Sequence, residues 1–515
     1  MSEKTGKVSE PIGTGVSTSY FDAEGMAKAV DETVRQIREL YLADQTPWVI
    51  GYSGGKDSTA TLQLIWMALE GLDKEQRAKN VYVITNDTLV ENPVVVNWVH
   101  QSHSRMAAVA EEKALPVVPR SVTPAIEETF WVNLIGRGYP APNRRFRWCT
   151  ERMKINPTTQ FIRELVNEAG EAIIVLGARK AESASRAARI AKYDAKAVRE
   201  NLSPHNDLPA ALVYKPIVDW MNDDVWKYLM SYPNPWGHDN KSLMTMYRSA
   251  TADEECPLVI DTSTASCGNS RFGCWTCTVV EKDKSMSAMI QNSAEKEWMQ
   301  PLLDIRNELA EAGRETRDFR RMSGKVSLYN GRYVPGPYHQ EARLRWLRRV
   351  LEAQTWVREH GPEEVRDIEL VSIPELHEIR RIWIEEKHEH EDYLPGLFEE
   401  ATGQPFPGPA NLGQFPFPRE ILKDLEEECE STLQYELLRE LVSVEHQTRT
   451  RTRRHGIWNS FDKAFERSGW ESAEEAITSV KIMSRGKTAL EDGQWVDYED
   501  LETDVIENPE GVEMT

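Results

Sequence analysis

The feature that most constrains this chain is a glycine pair set between a strand and a helix. WVIGY (48–52) reads as a buried strand and DSTATLQLIWMALEGL (57–72) as a helix. Between them stands Ser53-Gly54-Gly55-Lys56-Asp57-Ser58. Adjacent glycines let the backbone turn closely around a ligand, and the helix N-terminus that follows offers free N–H groups to an anion. Ser53 and Ser58 add hydroxyls, and Lys56 adds a positive charge. A strand–loop–helix of this kind sits where open α/β sheets bind ligands, outside the carboxyl end of a strand. It is not a Walker A loop: Gly55-Lys56 is followed by Asp57, and the position five before Gly55 is Ile50.

The same alternation continues. VYVIT (81–85), EAIIVLG (171–177) and LVYKPIV (212–218) read as strands. Helices are expected over Phe21–Leu42, over 93–112 and from Asp223 to Leu229. Strands separated by helices imply βαβ units. The expected fold is therefore α/β, a doubly wound parallel sheet over residues 20–240, after a disordered lead-in at 1–19. A Cys-rich segment (241–290) follows, then a mostly helical region (291–490) interrupted at GKVSLYNGRYVPGPYHQ. Ser372-Ile373-Pro374-Glu375 has the form of a capping box, opening a helix expected to run through IRRIWIEEKHEHED. Residues 403–418 are rich in Pro and Gly and read as a linker or loop, and a helix is expected from Arg419 to Val444. Residues 491–515 carry ten acidic side chains and no basic ones, a solvated tail.

The string SGGKDS resembles the PP-loop of the adenine nucleotide α-hydrolase superfamily, whose members split ATP between its α and β phosphates. The resemblance implies ATP binding by Ser53, Gly54, Gly55, Lys56, Asp57 and Ser58, with Lys56 and Asp57 in catalysis. Leu176-Gly177-Ala178-Arg179-Lys180-Ala181-Glu182-Ser183, with Arg186 beyond it, resembles the phosphoadenylylsulfate reductase and ATP sulfurylase branch. So does Lys215-Pro216-Ile217-Val218-Asp219-Trp220 with Asp223-Asp224-Val225-Trp226. Arg179, Glu182, Ser183 and Arg186 are thus candidates for binding substrate or phosphate, the arginines as guanidinium forks. Asn86-Asp87-Thr88 ends the second strand, where this branch commonly carries an Asp-Thr pair. Asp87 is a candidate to face Mg²⁺ or the nucleotide, with an ordinary turn as the alternative.

Six cysteines are present: Cys149, Cys256, Cys267, Cys274, Cys277 and Cys429. Cys149 lies within Arg144-Arg145-Phe146-Arg147-Trp148-Cys149-Thr150-Glu151-Arg152-Met153-Lys154, where flanking cations would favour a thiolate. It is a candidate sulfur carrier or simply a buried thiol. Cys256, Cys267, Cys274 and Cys277 follow the spacing C-x₁₀-C-x₆-C-x₂-C, with Gly268 and Gly273 beside the ligands. Four thiolates suit a [4Fe–4S] cluster or zinc. The single C-x₂-C pair favours the cluster, because a zinc ribbon presents two such knuckles. Cys429 is read as a bystander on a helix.

A PP-loop domain followed by this cysteine spacing and a helical extension resembles the DndC family, the sulfurtransferases of bacterial DNA phosphorothioation. That resemblance implies ATP pyrophosphatase chemistry (ATP to AMP and pyrophosphate) that adenylates a backbone phosphate oxygen of DNA, later replaced by sulfur. It also implies a cysteine desulfurase as sulfur donor and DndD- and DndE-type partner proteins. The competing classes are a phosphoadenylylsulfate reductase or sulfate-activating enzyme, a PP-loop tRNA thiolase, and a non-catalytic iron–sulfur sensor or scaffold. Against the first stands the absence of an E-C-G-x-H cysteine motif.

Lys and Arg total 62 against 83 Asp and Glu, a net charge of −21, which excludes a basic coat that grips nucleic acid unaided. A DNA substrate therefore requires local stripes, with candidates at Arg314, Arg317, Arg320, Arg321 and Lys325, at Arg343, Arg345, Arg348 and Arg349 around Trp346, and at Arg449, Arg451, Arg453 and Arg454. No apolar run approaches the ~20 residues of a membrane span, and the N-terminus has no apolar signal region. A cytoplasmic protein with no membrane partner is expected.

Overall fold

A computed structural model of the chain describes residues 19–197, 199, 201–250, 272–329, 332–408, 419–449, 456–470 and 472–492. They fall into two compact units. The first takes its described residues from the stretch up to Pro124, from Thr150–Trp275 and from Asp283–Gln300; the second from Ala125–Cys149, Thr276–Lys282 and the stretch from Pro301 onward. The segment read as one Cys-rich piece is thus shared: Cys274 goes with the first unit and Cys277 with the second.

The first unit opens with α1 (Met26–Leu42), whose buried face is Ala29, Val30, Val34, Ile37 and Tyr41. Then come β1 (Trp48–Gly51), α2 (Lys56–Glu70), β2 (Val81–Asn86), α3 (Pro93–Glu112) and β3 (Val117–Val122). After the excursion into the second unit follow α4 (Asn156–Ala169), β4 (Ala172–Val175), α5 (Ala184–Asp194), β5 (Ser203–Pro204), β6 (Ala211–Tyr214), α6 (Asn222–Ser231), α7 (Asn240–Ser249) and α8 (Lys284–Asn292). The sheet order is β3-β2-β1-β4-β6-β5. All pairs are parallel except β5 on β6. Ile50 of β1 faces Val83 on one side and Val175 on the other, so β1 is the central strand and its Trp48, Val49 and Ile50 are all buried. A strand covered on both faces reads as an unbroken apolar run, as WVI does.

Strands β1 to β3 step outward in one direction, and β4 returns to the opposite side of β1. The loops after β1 and β4 therefore part, opening a crevice at the carboxyl ends of these two strands, the switch point where such sheets bind ligands. The expected parallel α/β sheet is present; β3, β5 and α7 were not anticipated. Pro119 sits inside β3, which is tolerable because β3 is an edge strand.

The second unit is helical: α9 (Gln300–Glu311), the short hairpin β7 (Leu328–Tyr329) with β8 (Arg332–Tyr333), α10 (Gln340–His360), α11 (Ile373–Arg381), α12 (Tyr393–Thr402), α13 (Arg419–Glu428), α14 (Thr432–Thr448), α15 (Ile457–Ser468) and α16 (Ala473–Asp492). The Ser372–Glu375 capping box is present. The helix it opens does not run through 392. It ends at Arg381 in a π-helical turn, Ile382–Glu386, and the chain then bends through left-handed His388 (φ 57°) and Asp392 (φ 49°). The expected Arg419–Val444 helix is likewise two helices, and Cys429 lies in the break between them rather than on a helix. Among the described residues no helix is long and apolar enough to cross a membrane.

Candidate functional site

The site begins where β1 ends. Gly54 has φ +71°, and a Cβ there would stand 2.6 Å from Val99 Cγ2, so conformation and space both demand glycine. The indole N–H of Trp98 donates to Gly54 O at 3.2 Å, and Trp98 stacks on His238 with centroids 3.6 Å apart. Ser58 Oγ donates to Gly55 O at 3.0 Å and accepts from Ser53 N at 3.3 Å, closing the loop on itself. Tyr247 of α7 brings its hydroxyl within 3.3 Å of the Lys56 backbone N–H, which donates to it. The loop after β4 closes in from the other side. A Cβ on Gly177 would lie 2.7 Å from Asp57 O, so only glycine lets this loop reach the start of α2.

Charge is concentrated at the same point. Lys56 Nζ lies 3.2 Å from Asp57 Oδ2, and Arg179 Nε 2.7 Å from Asp57 Oδ1. Arg179 is buried and its NH1 also donates to Trp220 O at 3.4 Å. Glu182 accepts the Arg179 backbone N–H at 2.9 Å and pairs with Arg186. Ser183 caps α5 by accepting the Arg186 N–H at 3.2 Å. The arginines expected as open guanidinium forks are thus engaged with Asp57 and Glu182, because each stands beside a carboxylate that compensates it in a half-buried setting. Asp57 is the hub that joins the loop lysine to the β4 loop.

Ser53 to Asp57, Arg179, Glu182, Arg186 and Tyr247 border a cavity of about 970 Å³ that also takes in Ile84, Asp87, Glu91, Val95, Val99, Lys154, Ile162 and Ile174. Its wall is apolar toward the sheet and polar at the rim, the pattern of a small-molecule site. Burial pushes the Asp87 carboxyl above its usual range, with the Glu91 charge adding to the effect. Asp87 Oδ1 accepts the Leu89 N–H at 2.9 Å. A second cavity of about 810 Å³ lies across the loop, bordered by Ser183, Ser185, Arg186, Arg189, His205 and Lys215.

Cys274 adjoins Glu91, a residue in the wall of the larger cavity. It forms a backbone bridge with Glu91, and its Sγ is 3.4 Å from Thr88 Oγ1 and 3.6 Å from Glu91 Oε1. Lys154 Nζ reaches the same carboxylate oxygen at 3.3 Å. Cys149 and Cys277 are half-buried residues of the second unit, and Arg306 Nε donates to Cys277 O at 3.0 Å. Cys256 and Cys267 lie outside the described residues, as do Arg451, Arg453 and Arg454. Among the described residues no group of three or more His, Cys, Asp or Glu side chains is arranged to hold a metal ion.

Of the residues read from the sequence, Ser53 to Asp57, Asp87, Arg179, Glu182 and Arg186 border the larger cavity, and Ser58 and Ser183 border the second, across the loop. The sequence reading missed Trp98, Glu91 and Tyr247, which come from helices or loops whose sequences carry only ordinary amphipathic signals. Of the described stripe residues Arg320 and Arg343 are buried, whereas Arg314, Arg321, Lys325, Arg345, Arg348 and Arg449 are exposed. Arg320 pairs with Asp318 and Glu436, and buried Arg343 with Glu389. Arg345 and Arg349 share Glu308, and Arg348 takes Glu400. Buried Arg320 and Arg343 are held by their carboxylates, whereas the weak pair of exposed Arg348 leaves it accessible to an anion.

A glycine-rich switch-point loop on a mostly parallel sheet defines an α/β domain that offers a ligand site at the carboxyl ends of its strands. More particularly, residues 47–280 match the family model of the phosphoadenosine phosphosulfate reductase domain. An uncharacterized protein of Methanocaldococcus jannaschii is 28% identical over 200 residues, 39% of this chain and 35% of that protein, so the matched stretch spans about a third of the relative. The crystal structure of phosphoadenylyl-sulfate reductase from Candida auris, a phosphate complex, aligns with 42% of this chain and 89% of its own, at 13% identity and a TM-score of 0.27.

Proposed function

We propose that this chain is an ATP-dependent sulfurtransferase of DNA phosphorothioation, of the DndC type. The observation that carries the reading is the loop Ser53–Ser58 at the β1/β4 switch point, opening on a cavity of nucleotide size with Lys56, Asp57 and Arg179 at its head. ATP enters with its terminal phosphates on the loop and its base against the apolar wall. A backbone phosphate oxygen of DNA attacks the α phosphorus, the α–β bridging bond breaks, and pyrophosphate leaves with that electron pair. Lys56 and the N-terminus of α2 face the charge that develops on pyrophosphate, the kind of preorganised electrostatics that dominates such steps. The DNA oxygen now bridges to AMP. A persulfide charged by a cysteine desulfurase attacks the DNA phosphorus through its outer sulfur, and AMP leaves with the oxygen and its bonding pair. A second thiol attacks the carrier sulfur of the P–S–S link, releasing the phosphorothioate as the two thiols join in a disulfide.

Asp87 is the carboxylate that would face Mg²⁺, since Asp57 already holds two cations; the metal would offset phosphate charge when bound. The donor chemistry of Cys256, Cys267, Cys274 and Cys277 suits a [4Fe–4S] cluster, which when bound supplies an electron store and iron sites for sulfur; zinc is the alternative. DndD- and DndE-type proteins would present the DNA, in keeping with the acidic charge balance.

Two measurements test this. Purified protein should release pyrophosphate from ATP, and Lys56→Ala should abolish the release. In a deletion host, wild-type but neither Lys56→Ala nor Cys274→Ser should restore sulfur-containing dinucleotides, read by mass spectrometry of digested DNA. Restoration by either variant overturns the scheme. The family match supports a second reading, reduction of phosphoadenylyl sulfate, for which sulfite release from that substrate is the discriminating assay. Brown colour and iron rather than zinc by metal analysis would support the cluster.

A further inference from the structure

We infer that Tyr247 couples occupancy of the phosphate loop to the position of the segment Phe272–Trp275, which carries Cys274. The inference rests on the loop being a nucleotide-phosphate site. Tyr247 is buried and borders both cavities. Its hydroxyl oxygen accepts the Lys56 backbone N–H at 3.3 Å, one of the helix N-terminal donors that an anion on the loop would use. Lys56 Nζ lies 5.4 Å from the centre of the same ring. A phosphate oxygen arriving at this N–H must share it with the hydroxyl or displace it. The phenol keeps its own O–H for donation to that oxygen, and burial holds it protonated by raising its pKa, with the Asp57 charge adding.

The other edge of the ring leads toward the cysteines. Phe272 meets Tyr247 edge-to-face with centroids 4.8 Å apart, and Trp226 packs on it edge-to-face at 5.2 Å. Two residues beyond Phe272, Cys274 is bridged to Glu91, and Trp275 N donates to Val90 O at 2.9 Å. Phe272 and Glu91 both border the larger cavity. The segment 272–275 is therefore tied to two sides of the nucleotide cavity, and Tyr247 stands between one of those ties and the loop. A shift of its hydroxyl on phosphate binding moves the ring against Phe272, and the segment follows. Such coupling is reciprocal: whatever factor nucleotide applies to the segment, the segment applies to nucleotide affinity.

The test is hydrogen exchange of the full chain, read by mass spectrometry, with and without α,β-methylene-ATP, which resists cleavage at the α–β bond. In wild type, peptides covering 52–59 and 272–278 should both slow. In Tyr247→Phe, 52–59 should still slow, exchange of 272–278 without nucleotide should match wild type, and its response to nucleotide should shrink by about 5-fold or more. Phe272→Ala should weaken α,β-methylene-ATP by a comparable factor. An undiminished response of 272–278 in Tyr247→Phe overturns the coupling, as does faster exchange there without nucleotide, which marks Tyr247 as packing alone. Absence of any slowing at 52–59 in wild type sinks the nucleotide reading of the loop and the coupling with it.

Discussion

Arg179 spends its charge on Asp57: the guanidinium Nε lies 2.7 Å from Asp57 Oδ1 while Lys56 Nζ holds Oδ2 of the same carboxylate at 3.2 Å. The loop lysine is thereby fixed through a side chain that comes from a different strand. Replacing Arg179 with Lys keeps the charge but loses the planar fork, so Asp57 and Lys56 shift by a fraction of an ångström. Misplacement on the order of 1 Å costs about 100-fold in rate. Arg179→Lys should therefore cut kcat for pyrophosphate release by about 10- to 100-fold with KM for ATP changed far less. Arg179→Met leaves Asp57 half-buried without its main partner, and should lower stability in urea melts by about 3 kcal/mol.

Gly177 is the second contact between the two loops. A methyl at this position meets Asp57 O at 2.7 Å and Ser58 N at 3.0 Å, both backbone atoms at the start of α2, which cannot swing aside as a side chain would. Gly177→Ala should cost about 1–3 kcal/mol of stability, the range for overpacking, and should weaken α,β-methylene-ATP in titration calorimetry. An unchanged affinity would mean that the β4 loop does not set the geometry of the phosphate loop.

Much of this site was legible in the sequence because the loop chemistry is local. Ser53 to Ser58 lie between one strand and one helix, and the glycines, hydroxyls and lysine announce an anion whatever the tertiary setting. Strands β1, β2, β4 and β6 were visible as apolar runs for the same reason. β3 was hidden by Pro119, tolerable at an edge but contrary to a strand pattern. Partnerships were the part that spacing could not reveal. That Arg179 turns to Asp57, that Cys274 bridges Glu91 and that Tyr247 reaches Lys56 are contacts across 122, 183 and 191 residues. The helix expected through 392 failed where residues 387–392 pack charged and histidine side chains inward. There Glu389 and Glu391 find buried Arg343 and Arg439, and left-handed turns replace the helix.

Those buried pairs separate structural arginines from exposed ones. Arg343 and Glu389 are both buried and paired through both guanidinium NH groups. Glu389→Gln should cost about 3–5 kcal/mol, as expected when one partner of a buried pair is removed. Arg348, exposed and paired with Glu400, should cost no more than about 1 kcal/mol as Ala. Urea melts of the two variants decide this, and similar losses would contradict it. Only exposed arginines of that second kind can lose a DNA contact without unfolding the helical unit, so binding measurements belong on Arg348→Ala rather than on Glu389 or Arg343 variants.

The Trp98–His238 stack gives the loop a pH dependence of definite sign. Burial pushes the His238 imidazole down to about 4, with the Arg105 charge adding to it, from an ordinary value of 6.5. Between these values the unfolded chain binds a proton that the folded chain refuses, so stability falls as pH drops from about 6.5 toward 4 and is independent of this group above that window. His103, beside Thr85 and likewise pushed down to about 4 by burial, acts in the same direction. Protonation puts a half-buried charge beside Arg105 on the ring that stacks on Trp98, whose indole N–H holds Gly54 O. Nucleotide affinity should therefore weaken over the same window before the domain unfolds. In His238→Gln the loss of stability between pH 6.5 and 4.5 should be shallower than in wild type, measured as thermal midpoint against pH. Parallel slopes for the two proteins would mean that His238 titrates freely and that the stack does not depend on its neutral form.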